Sequence, residues 1–348
     1  MPIVKTDDIS IRQAARLISE GELVAFPTET VYGLGADAFN KNAIAKIFDV
    51  KNRPYFDPLI VHIASLEKLE DVADISLLDS KIINNLDLLI KKFWPGPLTL
   101  IFPKQKSIPD LVTSGLTTVA IRFPAHSAAK KLIELSGTAI AAPSANPFGY
   151  LSPTRAEHVL EMLGDKVRMI LDGGLPQVGL ESTVLDICRE MPRILRPGGI
   201  TKEAIEEMIG PVETAFNSDD GNNLSSPGML KSHYAPKTPL VLFDKIPAAE
   251  VKIEKTALLF FDGPSRDRWL LEMPECKTPL ITVLSEAGNL QEAAANLFEA
   301  LHKIDKESVA AIYAQLAPEE GLGIAINDRL QRAALAKLKP KPQIMNIQ

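Results

Sequence analysis

Four positively charged side chains interrupt apolar runs in this sequence: Lys51 and Arg53 in KNRPYFDPLIVHI, Arg122 in TVAIRFPAH, and Arg196 in RILRPGGIT. Burying such a charge without a partner is strongly unfavourable, so each needs an anion. Glu29 and Asp57 are the nearby acids and are too few for four cations, which makes a bound phosphate or carboxylate the expected partner. Polar neutral groups gather around the same segments. They are Thr30 in PTETVYGLG, Ser144, Asn146 and Ser152 in APSANPFGYLSPTRAEHV, and Ser182 with Thr183 in GLESTVLDI. His62 lies inside an otherwise apolar run, and Gly198 and Gly199 after Arg196 would let backbone N–H groups approach an anion. The chemistry implied is the gripping of a small anionic molecule rather than nucleophilic attack.

Each feature also has a plain structural reading. Arg122 could be an edge residue with a packed stem, and His62 a hydrogen-bonded core histidine. PTET could be a bulge, Tyr32 a core ring, and Thr154 a helix cap. Several alternatives are excluded by motif. No GxxxxGK[ST] loop and no serine-hydrolase elbow is present. The five histidines and two cysteines (Cys188, Cys276) form no zinc-type spacing, and the cysteine usage fits a reducing compartment.

The elements that must position these residues follow from periodicity. With 348 residues, 46% of them hydrophobic, the chain is expected to hold two globular domains. Strands are expected at LVAF, LIVHI, LTLIF, TVAIRF, TAIAA, RMIL, STVLDI and RILR. Helices are expected in DDISIRQAARLISEG and over 40–49, 65–73, 79–93, 126–136, 154–163 and 201–209. That pattern makes an α/β (α+β) domain with one sizeable sheet. Residues 217–239, rich in Asn, Ser, Gly and Pro, read as a linker. Beyond it, strands at PLVLF, TALLFFDG and SVAAIYAQL alternate with helices at EAGNLQEAAANLFEALHKID and AINDRLQRAALAKL, suiting a small Rossmann-like domain. The boundaries expected are 1–209 for the catalytic domain, 210–238 for the linker and 239–348 for the C-terminal domain. The formal charge of −6 argues against nucleic acid as the main partner. No stretch resembles a signal core or membrane span, so a soluble cytoplasmic protein is expected.

PTETVYGLG, KNRPYFDPLIVHI, WPGPLTLI, VAIRFPAH, APSAN, GLESTVLD and ILRPGG, in this order, resemble the motifs of the YrdC-like threonylcarbamoyl-adenylate synthases. SPGMLKSHYAPKTPL resembles the linker of the longer, two-domain form, so the likeness runs through the whole chain. The resemblance implies a twisted mixed sheet flanked by helices, followed by the smaller C-terminal domain. It implies a reaction in which L-threonine, bicarbonate and ATP give threonylcarbamoyl-AMP and pyrophosphate, the first step of a tRNA modification beside the anticodon. Downstream tRNA threonylcarbamoyl-transfer proteins are the implied partners, with weak tRNA binding conceivable. Matched positions are Thr30, His62, Arg122 and Ser182 for threonine. Those for ATP are Arg53, Thr118, Ser144, Asn146, Ser152 and Arg196, with Lys51 adding charge near the phosphates. Mg²⁺ is the implied companion of ATP. In the linker, Met229, His233 and Tyr234 exceed what a tether needs, and the resemblance implies a lid in which Tyr234 reaches the nucleotide. Asp57 stands where the family often has asparagine, and a carboxylate beside phosphates would repel them unless it binds Mg²⁺ or points away. The principal rival is an RNA-binding module without turnover, using the same arginines on a phosphate backbone. Carbamoyl transfer from another donor and a sensor that binds ATP and threonine without turnover are lesser rivals.

Overall fold

The computed structural model describes residues 3–215, 233–243, 255–273 and 280–335. In chain order the elements begin with β1 (Ile3–Lys5), α1 (Asp8–Ser19), β2 (Val24–Phe26), β3 (Gly33–Asp37), α2 (Lys41–Lys51) and β4 (Ile60–His62). They continue with α3 (Ser80–Phe93), β5 (Leu98–Pro103), α4 (Asp110–Thr113), β6 (Thr118–Arg122), α5 (Ser127–Ser136) and β7 (Ile140–Ala141). Next come α6 (Ala156–Leu163), β8 (Met169–Asp172), β9 (Thr183–Asp186), β10 (Arg193–Arg196), α7 (Lys202–Ile209) and β11 (Glu213–Thr214). The last group is β12 (Leu240–Phe243), β13 (Thr256–Asp262), α8 (Gly263–Glu272), β14 (Leu280–Ser285), α9 (Leu290–Lys306), β15 (Ala311–Gln315) and α10 (Leu322–Leu335).

Two sheets organise these elements. The larger is mixed, in the order β1-β8-β2-β3-β7-β4-β6-β5-β9-β10-β11, and the smaller is parallel, in the order β12-β15-β13-β14. Helices form where the sequence supplies both cap and apolar face. Asp7 and Ser10 make a reciprocal capping box for α1, whose Ile11, Ala14, Ala15 and Ile18 are buried. All eight strands expected in the first part form, and so do the helices except one. Residues 65–73 make only a single 3₁₀ turn, Leu66–Lys68. The chain there is drawn to the edge of β5 instead, with Asp74 N–H on Pro103 O and Gln105 N–H on Val72 O.

Strand β3 was not expected, because Gly-Leu-Gly has poor strand propensity. It pairs antiparallel with β2, Val24 opposite Gly35 and Phe26 opposite Gly33. A Cβ on Gly35 would stand 2.8 Å from the Phe26 ring and 2.9 Å from Ile140, so only glycine fits beneath that ring. The segment PTETVY is thus a loop returning the chain to the strand it has just left. Strand β14 and helix α8 were also not anticipated.

The two sheets share packing. Val31, Leu151, Leu180 and Tyr234 belong to the same apolar cluster as Leu297, Phe298, Ile326 and Leu330 of the smaller unit. At Gly179, φ +70°, an added Cβ would lie 2.4 Å from Ala295 Cα, so α9 lies directly on that backbone. Ion pairs Arg155–Glu299 (2.9 Å) and Lys306–Glu161 (2.7 Å) flank the contact, and the His158 and His302 rings stack at 3.9 Å. Thr154, expected as a cap, donates instead to Glu299 across this contact (3.2 Å), and α6 starts without a side-chain cap. Of the expected linker, only 210–215 and 233–238 are described, and Met229 lies outside the described residues. No helix among the described residues is long and apolar enough to cross a membrane.

Candidate active site

The PTETVY loop is shaped by one hydroxyl. Thr28 Oγ1 accepts from the Thr30 and Val31 N–H groups and donates to Val31 O at 2.6 Å, closing a tight turn that presents Thr30. Tyr32 is buried core, its hydroxyl donating to Gly174 O at 2.9 Å, as the plain reading had it. Thr30 then meets the end of β6: Arg122 Nη1 donates to Thr30 Oγ1 at 2.8 Å and Nε to Gly96 O at 3.3 Å. Register places His62 opposite Arg122 on the parallel pair β4–β6, so both side chains reach one sheet end.

A cavity of about 60 Å³ sits at that end. Of the twelve residues expected at a site, Thr30, His62, Arg122, Ser182, Arg53, Ser144, Arg196 and Tyr234 line it, joined by Thr28, Glu181 and His233. Lys51, Thr118, Asn146 and Ser152 do not. Thr118 begins β6, roughly 13 Å along the strand from Arg122. Lys51 is fully buried and donates to the carbonyls of Ser144 and Asn146, tying α2 to the SAN turn rather than facing the cavity. Asn146 Nδ2 donates to Pro147 O and Tyr150 O, holding that turn from within. Ser152 Oγ donates to Glu181 at 2.5 Å.

The expectation that the four cations need a bound anion is corrected by the geometry: Glu29 and Asp57 meet two of them, and backbone carbonyls meet Lys51 and Arg196. Arg122 Nη2 lies 2.7 Å from Glu29, and Arg53 Nη2 lies 2.9 Å from Asp57, both pairs buried. Arg53 also donates to Asp57 O and Pro58 O. Asp57 therefore points away from the cavity as the counterion of Arg53. Burial pushes its carboxyl above the usual range and the Arg53 charge offsets only part of that. For Glu29 burial acts upward too, but Arg122 outweighs it and the group lies below its ordinary value. Arg196 donates to Ser182 O and Oγ at 2.9 and 3.2 Å, and Ser182 Oγ lies 2.7 Å from Thr99 Oγ1. The glycine pair is also corrected. A Cβ on Gly198 would meet Glu181 O at 2.3 Å, and Gly199 N–H donates to Glu181 O, so both glycines pack on the chain's own GLEST segment.

Two buried charged positions in or beside the cavity lining escaped the reading of the sequence. Glu181 lay within a quoted motif without a role. Arg329 lay in α10, where it shares an apolar face with Ala325, Ile326, Leu330 and Ala333; a cation at that spacing is the signal that could have found it.

His62 is buried, its Nδ1 has no hydrogen-bond partner among the described residues, and burial followed by the Arg122 charge pushes its pKa down to about 3. Burial does the same to His158, also to about 3. The unfolded chain therefore binds more protons between that value and 6.5, so stability is full above pH 6.5 and falls as pH drops toward 3. The expected slope is about 1.4 kcal/mol per pH unit for one such histidine. Thermal melts between pH 4 and 8 check the slope, and an imidazole NMR titration of His62 near pH 6.5 would contradict it.

The Sua5/YciO/YrdC family, described as "Telomere recombination", matches residues 16–198, and the family described as "Threonylcarbamoyl-AMP synthase, C-terminal domain" matches residues 200–335. Threonylcarbamoyl-AMP synthase of Pyrococcus abyssi is 42% identical over 333 residues, 95% of each chain. The Bacillus subtilis protein of the same name is 44% identical over 336 residues, 95% of this chain and 94% of that one. The crystal structure of P. abyssi Sua5 complexed with L-threonine superposes with a TM-score of 0.85 at 40% identity, covering 96% of both chains.

Proposed function

Because this chain belongs to the Sua5/YciO/YrdC family and carries that family's threonylcarbamoyl-AMP synthase C-terminal domain, we propose that it is an L-threonylcarbamoyladenylate synthase. It is a nucleotidyltransferase-type enzyme: threonine's amine and bicarbonate form a carbamate with loss of water, the carbamate oxygen attacks the α-phosphate of ATP, and pyrophosphate leaves. The product feeds the group transfer that modifies adenosine beside the tRNA anticodon, carried out by other proteins in the cytoplasm. The observation that carries the reading is the convergence of Arg122, Thr30, His62 and Ser182 with Arg53, Ser144, Arg196 and Tyr234 on one cavity.

Arg122 with Thr30 forms the amino-acid end, where a guanidinium and a hydroxyl suit threonine's carboxylate. Neutral His62 and Ser182 supply uncharged polar contacts there, so the amine is not repelled by an imidazolium. Arg53 and Arg196 form the phosphate end, acting by position and charge rather than by covalent catalysis. His233 and Tyr234 line the cavity together with Arg53 and Arg196, so the segment carrying them serves as a lid over the nucleotide end. Mg²⁺ enters with ATP as part of the substrate. No three metal-ligating side chains converge among the described residues, and Glu29, Asp57 and Glu181 are each held by an arginine, so no resident metal site is assigned.

The test is incubation with ATP, Mg²⁺, labelled bicarbonate and threonine. Pyrophosphate release that depends on both threonine and bicarbonate is the expected result. Salt-sensitive tRNA binding without turnover would overturn it.

A further inference from the structure

Arg329 is the largest fully buried side chain among the described residues, and it comes from α10 of the smaller unit. Its guanidinium reaches four partners, one in its own helix and three in three other segments. Nε donates to Glu181 at 2.8 Å, Nη2 to Pro197 O at 2.9 Å, and Nη1 to the adjacent Asp328 at 2.6 Å. The face of the group lies 4.9 Å from the Tyr234 ring centroid, within cation–π range. Glu181 and Tyr234 line the cavity, and Pro197 follows Arg196, which lines it too. The same helix takes the neighbouring backbone, since His233 N–H donates to Arg332 O at 3.4 Å.

We propose that Arg329 is a positioning residue of the active site, through which the C-terminal unit neutralises Glu181 and holds Tyr234 over the nucleotide end of the cavity. This deepens the synthase reading and rests on it for the identity of the ligand. Glu181 faces the region assigned to phosphates and would repel them if its charge were uncompensated. Arg329 supplies the compensating charge while Ser152 holds the other carboxylate oxygen. Burial alone would raise the Glu181 carboxyl, but Arg329 and then Arg196 keep it ionised below the usual range.

The lid contact has a second physical basis. Tyr234 has φ +61°, a left-handed conformation unfavourable to a bulky side chain. It persists only where surroundings hold it, and here these are Arg329, the Phe298 ring at 5.8 Å and the bond from Ala235 N–H to Gly149 O. Two of those contacts come from the smaller unit. The second domain thus completes the site instead of merely carrying the tether.

Full-length wild type, Arg329→Met, Arg329→Lys, Glu181→Gln and the Arg329→Met/Glu181→Gln pair are compared. The readouts are ATP affinity by calorimetry, KM for threonine, and ligand-free hydrogen–deuterium exchange at residues 233–235. Arg329→Met is expected to weaken ATP binding about tenfold or more and to leave the threonine KM within about threefold. Exchange at 233–235 rises about tenfold, because the strained conformation loses a clamp. Arg329→Lys, which keeps charge but loses the fork, falls between wild type and Arg329→Met. In the Glu181→Gln background Arg329→Met costs ATP affinity less, since no charge is left unpaired. Equal losses for ATP and threonine, unchanged ATP affinity, or unchanged exchange would overturn the proposal. If Arg329→Met fails to fold, Arg329→Lys decides by the same three readouts. If wild type does not bind ATP, the synthase reading fails, and the exchange measurement alone judges whether Arg329 holds the lid.

Discussion

Arg122→Ala is expected to lower kcat/KM for threonine by about two orders of magnitude or more while ATP affinity stays within about threefold. The guanidinium sits at the end of β6, gripped by Thr30 Oγ1 and Gly96 O, and of the three arginines that line the cavity it is the one bonded to Thr30. Removing it also leaves Glu29 buried without its partner at 2.7 Å, which costs about 3–5 kcal/mol of stability. The two effects separate by a second substitution. Glu29→Gln in the Arg122→Ala background should restore most of the melting temperature and none of the threonine use. Equal loss of ATP and threonine affinity by Arg122→Ala would remove the assignment of this end to the amino acid.

Arg53→Met carries the second large effect, at the other end. Arg53 lines the cavity, yet it is also bound to Asp57 at 2.9 Å and to the carbonyls of Asp57 and Pro58. Its loss should weaken ATP binding by about two orders of magnitude and destabilise the fold by about 3–5 kcal/mol, because the Asp57 carboxyl is left buried without its partner. Arg53→Met with Asp57→Asn should recover stability without recovering ATP binding, since the amide tolerates burial that the carboxylate does not. Calorimetric ATP titrations beside thermal melts check this, and recovery of ATP affinity in the double variant would show Arg53 to be structural only. The same pairing explains how an acid is accommodated at position 57: it faces the guanidinium and not the cavity.

The two predictions share a cause. At each end of the cavity the protein keeps a carboxylate behind the arginine. This holds the fork in a fixed direction and keeps it charged in a dry site, where preorganised charge acts most strongly. A ligand anion then meets a cation already oriented, at little reorganisation cost. The cavity is consequently more neutral overall than its arginines suggest.

The strands and helices of the first domain were largely legible because apolar period and caps are local properties, as in α1 with its Asp7 cap and Ile11, Ala14, Ala15 and Ile18 stripe. The helix expected at 65–73 gave way to hydrogen bonds with the end of β5 that no local pattern announces. The chemistry was legible as residue types: a cation or hydroxyl inside a buried run is improbable without a partner, so Thr30, Arg122, Ser182 and Arg196 declared themselves. Which partner each one takes was decided by the tertiary structure. Lys51 and Arg53 are two residues apart, yet one turns into the SAN turn and the other toward the cavity, because the left-handed Asn52 ends α2 between them. Glu29 as the counterion of Arg122, Gly198 as a packing position, and Arg329 reaching Glu181 from 148 residues away depend on sheet order and on contact between the two units. Those are products of long-range closure, in which residues remote along the chain are brought within 3 Å, and a linear pattern carries no record of that distance.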